Sequence, residues 1–285
     1  MSQVATDFGL PDVSVAVGAL VGYPVGGTLR MAHDAGAAGA ELLLTPAILR
    51  RGPQHYAALS HHWQLPITSV HARLLFGNQS LDDTIASDIA SLQFAAALPG
   101  CGVLVVHHPI VKPGREDELR AWATAMHDAL TASRSPLTVA VENRPHNRDS
   151  VPAQWLDDPC NLFAFVEKCG FHATLDLAHA ASHDLPLVPT LETLLPRLAN
   201  VHWCDQRPSR LRGGIPCGLW RDHQLPGEGM LPLDNVAATL RAHAYSGLVT
   251  LELSPWSLRQ WWPALAARRM RDAVCRSQRI LGTRD

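Results

Sequence analysis

Eight short apolar runs, separated by longer amphipathic stretches, constrain this chain more than any other feature. They are VSVAV (13–17), AELLL (40–44), ITSVHA (67–72), GVLVVHH (102–108), LTVAVE (137–142), HATLDL (172–177), ANVHWC (199–204) and LVTLEL (248–253). Runs of this length, bounded by turn residues, read as strands. Helices are expected between them. SLDDTIASDIASLQFAAALPG has Ser80 or Asp82 to cap it and Pro99-Gly100 to stop it. GREDELRAWATAMHDALTAS is acidic at its start, as the helix dipole prefers. DDPCNLFAFVEKCG ends on Gly170, as a glycine C-cap does. The last segment, opening at Ser254-Pro255, is expected to bend at Pro263. Nothing in the 285 residues looks like an interdomain linker. The expectation is therefore a single domain over 1–285, an α/β chain folded as one (β/α)8 TIM barrel. Its barrel should span about 13–255 and its C-terminal helix 255–281.

Composition narrows the partners. With 47% apolar and 18% charged residues, a large core is available and disorder is not expected. A net charge of −2 gives no general pull toward nucleic acid. No apolar run reaches the roughly 18 residues of a membrane span. The opening MSQVATDFGLPD lacks the basic and apolar regions of a signal peptide. Cysteines 101, 160, 169, 204, 217 and 275 form no CxxC pair, and they read as thiols of a reducing, cytoplasmic setting.

The strand ends carry the chemistry. Active sites of such barrels lie at the C-terminal ends of the strands. Here those ends bear Glu41, His71, His107-His108, Glu142, Asp176, His202 and Glu252. A buried carboxylate is costly unless it is paired or bound to a metal, and a crowded ring of them repels unless a cation sits within it. Glu142, Asp176, His202 and Glu252 are therefore candidate metal ligands, with Glu142 and Glu252 also candidate proton-transfer groups. His71, His108 and His179 are candidate further ligands or substrate contacts. Adjacent strand residues face opposite ways, so with His108 inward His107 should point out of the site. Glu41 reads as a partner of a lysine or arginine, and His61-His62 as surface. Asn143, Trp203 and Asp205 flank the ligands and are candidate substrate contacts, although for Trp203 core packing is as good a reading.

VENRP, TLDLAHA, NVHWCDQ, HQLPGEG and LELSP stand where the xylose-isomerase-like TIM-barrel superfamily places its metal-site motifs. The chain resembles that superfamily from about residue 13 to about residue 255. In one-metal members the ligands follow strands five to eight, which maps them onto Glu142, Asp176, His202 and Glu252. The resemblance implies two alternative activities. One is isomerisation or epimerisation of a small sugar, sugar acid or polyol, in which Mn, Mg or Co stabilises an enediolate while Glu142 and Glu252 move the proton. The other is phosphodiester hydrolysis by zinc, as in the endonuclease IV class of abasic-site nucleases. For the latter, eight of the class's ligands have counterparts in His71, His108, Glu142, Asp176, His179, His202, His223 and Glu252. The ninth, an aspartate, falls on Arg221. The strand-three motif is HARLL rather than H-A-P-Y, and the Gly-rich DNA-reading loop is missing. The sugar reading is favoured, and a non-catalytic binding barrel is a distant third.

The stretch 207–229 is a long, irregular loop at the barrel mouth with Arg207, Arg210, Arg212 and Arg221. Long loops there are often lids or specificity elements. Arg210 and Arg212 are candidate contacts to an anionic, sugar-like substrate. Trp256, Trp261 and Trp262 offer a surface for packing on the barrel or for a homo-oligomer.

Overall fold

The computed structural model describes residues 10, 12–18, 20, 22–75, 79–112, 114–146, 154–208 and 221–283. It is a closed barrel of eight parallel strands in sequential order. The strands are β1 (Val13–Val17), β2 (Gly39–Leu43), β3 (Ile67–His71), β4 (Val103–His107), β5 (Thr138–Glu142), β6 (His172–Asp176), β7 (Leu198–Trp203) and β8 (Leu248–Leu251). All eight expected strands are present, β1 with the expected bounds and the other seven shifted or shortened by a residue or two at their ends.

Helices cover the barrel: α1 (Val25–Asp34), α2 (Pro46–Arg51), α3 (Pro53–His62), α4 (Leu81–Ala96), α5 (Glu116–Ser133), α6 (Pro159–Cys169), α7 (Leu177–Ser182), α8 (Leu187–Leu194), α9 (Leu233–Ala242) and α10 (Pro263–Leu281). Their ends follow local chemistry. The Ser80 hydroxyl accepts from the Asp83 amide at 3.1 Å and starts α4, where Asp82 and Asp83 suit the helix dipole. Asp158 caps α6 ahead of Pro159, and Gly170 ends it in the left-handed conformation at φ 69°.

One expectation is corrected. Pro263 does not bend a helix running from 255; it is the first residue of α10, where its missing N–H costs nothing. The preceding residues form turns in which the Trp256 and Trp261 rings meet at 4.5 Å, with Trp261 and Trp262 largely exposed. His61 and His62 are exposed, as expected.

The two faces of each strand do different work. Outward residues such as Leu104, Val106, Leu175, Val201, Trp203, Val249 and Leu251 join the helices in one large core. Inward, the apolar cluster is small: Val103, Val105 and Ala140, with Ala199 and Leu248 against them. Above it sits a buried polar level that includes Glu41, Ser69, Thr174, Asn200 and Thr250. Parallel pairing sets His107 beside Glu142 and Asp176 beside His202, which brings the strand ends together at one mouth. No helix among the described residues is long and apolar enough to cross a membrane.

Candidate metal centre

Glu142 lies at the middle of the mouth and is fully buried. His71 Nε2 is 3.0 Å from its Oε2, and His107 Nε2 is 2.9 Å from the same oxygen. His202 Nδ1 is 3.0 Å from its Oε1, and His179 Nδ1 is 3.3 Å away. His202 Nδ1 also faces Glu252 Oε2 at 2.7 Å and Asp176 Oδ2 at 3.7 Å. His223 Nε2 meets Asp176 Oδ2 at 3.2 Å.

These groups form three adjoining sets, each able to hold an ion: His71, His107 and Glu142; Glu142, Asp176, His202 and Glu252; and Asp176, His179 and His223. Glu142 belongs to the first two and Asp176 to the last two. The donors fit a cation better than they fit one another. A single ring nitrogen of His202 faces three carboxylates, and it can donate to only one at a time. Despite their short approaches, His107 Nε2 and Glu252 Oε2 are buried without an aligned hydrogen bond.

Neighbouring groups fix the tautomers. His71 Nδ1 lies 2.7 Å from the Ala72 carbonyl, so it carries the proton and leaves Nε2 for the site. His179 Nδ1 faces the Asn143 carbonyl at 2.9 Å. His202 Nε2 approaches Glu41 Oε1 at 3.1 Å without an aligned hydrogen bond, while Nδ1 faces the central position. Glu41 is 1% exposed and also accepts from Ser69 Oγ at 2.8 Å and Asn200 Nδ2 at 3.0 Å. Its neighbours are thus His202 and two neutral donors, not the expected lysine or arginine. A carboxylate behind a ligating histidine orients the ring and raises its basicity.

The electrostatics follow from burial opposed by these contacts. Burial favours uncharged forms, yet the carboxylates win at four histidines, raising His179 as well as the three that follow. His71 is pushed up to about 9 by Glu142, His223 up to about 10 by Asp176 and Glu252, and His202 well upward by Glu41, Glu142 and Glu252. Glu142 and Glu252 are held below the usual carboxylate range against their own burial, chiefly by the His202 charge. His107 differs: burial dominates, and the Arg144 and His71 charges help lower it to about 4. Burial and the Arg144 charge lower His108 to about 3.

Several sequence-based expectations change. His107, not His108, points at Glu142; the run GVLVVHH is apolar on both faces and offers no alternation to set the phase. His108 belongs to none of the three sets. Trp203 is fully buried in the outer core and forms no wall of the site. Asn143 ties two strand ends together: its Nδ2 donates to the Asp176 carbonyl at 3.0 Å, and its Oδ1 accepts from the Asp176 amide at 2.7 Å. Asp205 is turned to its own loop, accepting from the amides of Gly227, Gly229 and Leu231 at 2.9, 2.9 and 3.0 Å. A Cβ at Gly229 would run into that carboxylate, so the PGEG turn requires glycine there. Both side chains are therefore engaged with backbone groups at the mouth. Arg210 and Arg212 lie outside the described residues. Arg207 and Arg221 approach Glu228 and Asp222 at 3.7 and 3.8 Å.

A barrel mouth with a shared carboxylate–histidine centre defines a class before it defines a reaction. The chain matches the family model for the xylose isomerase-like TIM barrel over residues 29–271, and it belongs to that family. An uncharacterized protein of Mycobacterium tuberculosis is 26% identical over 251 residues, covering 81% of this chain and 82% of that one. Among solved structures, the 3-keto-D-glucoside 4-epimerase of E. coli superposes with a TM-score of 0.69 at 17% identity, over 94% of this chain and 99% of that one. D-psicose 3-epimerase from Clostridium cellulolyticum gives 0.71 at 12% identity, over 95% and 99%. Endonuclease IV from Thermus thermophilus gives 0.58 at 19% identity, over 93% and 100%. At these identities the structural likeness establishes the fold, which epimerases and a nuclease share.

Proposed function

We propose that this protein is a divalent-metal-dependent isomerase or epimerase acting on a small sugar, sugar acid or polyol by proton transfer. The observation that carries the reading is the convergence of Glu142, Asp176, His202 and Glu252 on one position. Three carboxylates and one imidazole form a hard, oxygen-rich donor set suited to Mn, Mg or Co. A bound ion would supply positive charge beside substrate oxygens as negative charge develops on them. The chain's own groups do the rest. Glu142 is sealed from solvent, whereas the Glu252 side chain keeps 27% of its exposure at the mouth. Glu252 is thus the group that can meet a substrate C–H from the open side, with Glu142 flanking it from below. His107 offers an uncharged ring beside Glu142. The cavity that opens from His71 and His107 measures about 330 Å³, a size for a small molecule rather than a duplex.

The test is proton exchange. Metal-loaded protein incubated in D2O with aldoses, ketoses and sugar acids should introduce deuterium at a carbon next to a carbonyl, read by NMR. Glu252→Gln should slow that exchange by roughly 10²–10⁴-fold. No exchange with any compound by a protein that holds metal would defeat the reading.

A second reading has its own observation. Sharing of Glu142 and Asp176 between adjoining sets is what a zinc cluster for phosphodiester hydrolysis needs. Arg221 stands against it, placing a cation where that class has a ligand. Two or three zinc ions per chain, with cleavage of abasic-site DNA, would favour this alternative.

A further inference from the structure

The cavity beside the metal centre runs between the β3 and β4 ends and the start of α4, and its walls include Arg73, Lys112, Arg144, His108 and Asp88. Its charge is not balanced. Asp88 Oδ2 is engaged by the Trp122 Nε1–H at 2.8 Å, and Glu118 is engaged by Arg115 at 2.6 Å. Arg73, Lys112 and Arg144 form no ion pair among the described residues.

Apart from His107 Nε2, which faces Glu142, two buried atoms among the described walls have no partner. Arg73 Nε is a donor without an acceptor, and His108 Nε2 is likewise unmatched in a side chain only 1% exposed. His108 Nδ1 sits 3.0 Å from the Pro109 carbonyl and donates to it, so Nε2 presents a lone pair. Arg144 is held in place by its Nη1 donating to the His108 carbonyl at 2.8 Å. Unsatisfied buried groups are rare enough to need a reason. Here the unmatched donor calls for an anionic acceptor, and the unmatched acceptor calls for a hydroxyl.

We propose that this cavity is a subsite for the oxyanion of a small hydroxylated substrate, a phosphate monoester or a carboxylate. Arg73, Arg144 and Lys112 take the anion, and His108 Nε2 accepts from a neighbouring hydroxyl. Guanidinium forks match both kinds of oxyanion. The inference rests on the proton-transfer reading for what happens at the other end of the substrate: His71 and His107 line both the cavity and the metal centre, so a ligand anchored here extends over Glu142.

The experiment is calorimetric titration of the metal-loaded protein with inorganic phosphate, fructose 6-phosphate, gluconate and fructose at fixed ionic strength. At least one of fructose 6-phosphate and gluconate should bind tenfold or more tighter than fructose, and the tighter of the two identifies the oxyanion. Arg73→Gln should weaken that ligand by about tenfold or more, the loss of a charge-assisted hydrogen bond, with fructose binding and metal per chain unchanged. Lys112→Ala, at an exposed position that folding does not need, should weaken it less. Equal affinity for charged and neutral ligands overturns the proposal. So does phosphate binding that vanishes on chelation but ignores both substitutions, since the metal alone then holds the anion. Deuterium exchange separates the two conclusions. Exchange without Arg73 dependence removes the subsite and leaves the function. Arg73-dependent anion binding without exchange does the reverse.

Discussion

The outward and inward faces of the same eight strands behave as two different materials. Outside, residues such as Leu104, Val201 and Trp203 are fully buried against the helices in one continuous apolar layer. Inside, the apolar cluster shrinks to Val103, Val105 and Ala140, and the levels above it are carboxylates, imidazoles and amides. The first material holds the fold by removing apolar surface from water. The second sets buried charges against one another and leaves atoms misaligned, which does little for stability and is an arrangement that could hold a cation. Mutations on the two faces should therefore be separable.

The largest effect is expected on the outer face. Leu104 is 0% exposed on β4 and faces the helices. Leu104→Ala should cost about 2–5 kcal/mol in denaturant unfolding, from lost transfer energy plus the cavity left behind. Metal per chain below the transition should not change. A variant that keeps its stability but loses metal would erase the distinction.

Asp88 blurs the comparison, because it places a carboxylate among the helices. It lies on α4, 4% exposed, and accepts from Trp122 Nε1 at 2.8 Å. Burial raises it from 3.8 to about 7, against the lowering pull of that hydrogen bond and of the His71, Arg144 and Arg73 charges. The folded protein thus keeps this proton to about 7, whereas the unfolded chain releases it near 3.8. Between those values the native state binds more protons, so stability falls as pH rises and levels off above about 7. The full span corresponds to at most about 4 kcal/mol. Asp88→Asn should remove that slope, measured as the difference between wild-type and variant unfolding free energy from pH 4 to pH 8. Parallel curves would show that Asp88 is ionised throughout.

How far the sequence could be read follows the same division. The outer face was legible because apolar runs of strand length, alternating with amphipathic segments, leave few architectures open, and all eight strands lie where those runs predict them. The meeting of Glu142, Asp176, His202 and Glu252 at one mouth was legible because a carboxylate or imidazole ending such a run needs a reason. Phase was not legible at His107-His108, where both faces of β4 are apolar and one residue decides which ring turns inward. Nor was the use of polar side chains next to the ligands. Asn143 follows Glu142 and Asp205 comes shortly after His202 in sequence, yet their hydrogen bonds go to backbone amides and carbonyls that appear only when strand ends and the PGEG turn meet. The partner of Glu41 was hidden for the same reason: His202 lies across the barrel on β7.

Glu41 gives the finest test, because it lies on the inner face one level below the ions it would influence. Its Oε1 is 3.1 Å from His202 Nε2, and its Oε2 accepts from Ser69 and Asn200. Glu41→Gln keeps the shape and a hydrogen-bond acceptor but removes the charge that makes His202 Nδ1 a stronger donor to a metal. Loss of such an outer partner typically costs about 10–100-fold in metal affinity, or about 1.4–2.7 kcal/mol. Competition against a chelator of known affinity would measure it, and unfolding of the metal-free variant supplies the control. In the metal-free protein the same charge keeps His202 protonated, so the substitution should also reduce the protons released on metal binding near pH 7. Lower affinity with fewer protons released assigns Glu41 to the centre. Lower metal-free stability with metal affinity unchanged assigns it to the barrel interior alone and draws the boundary between the two materials one level higher.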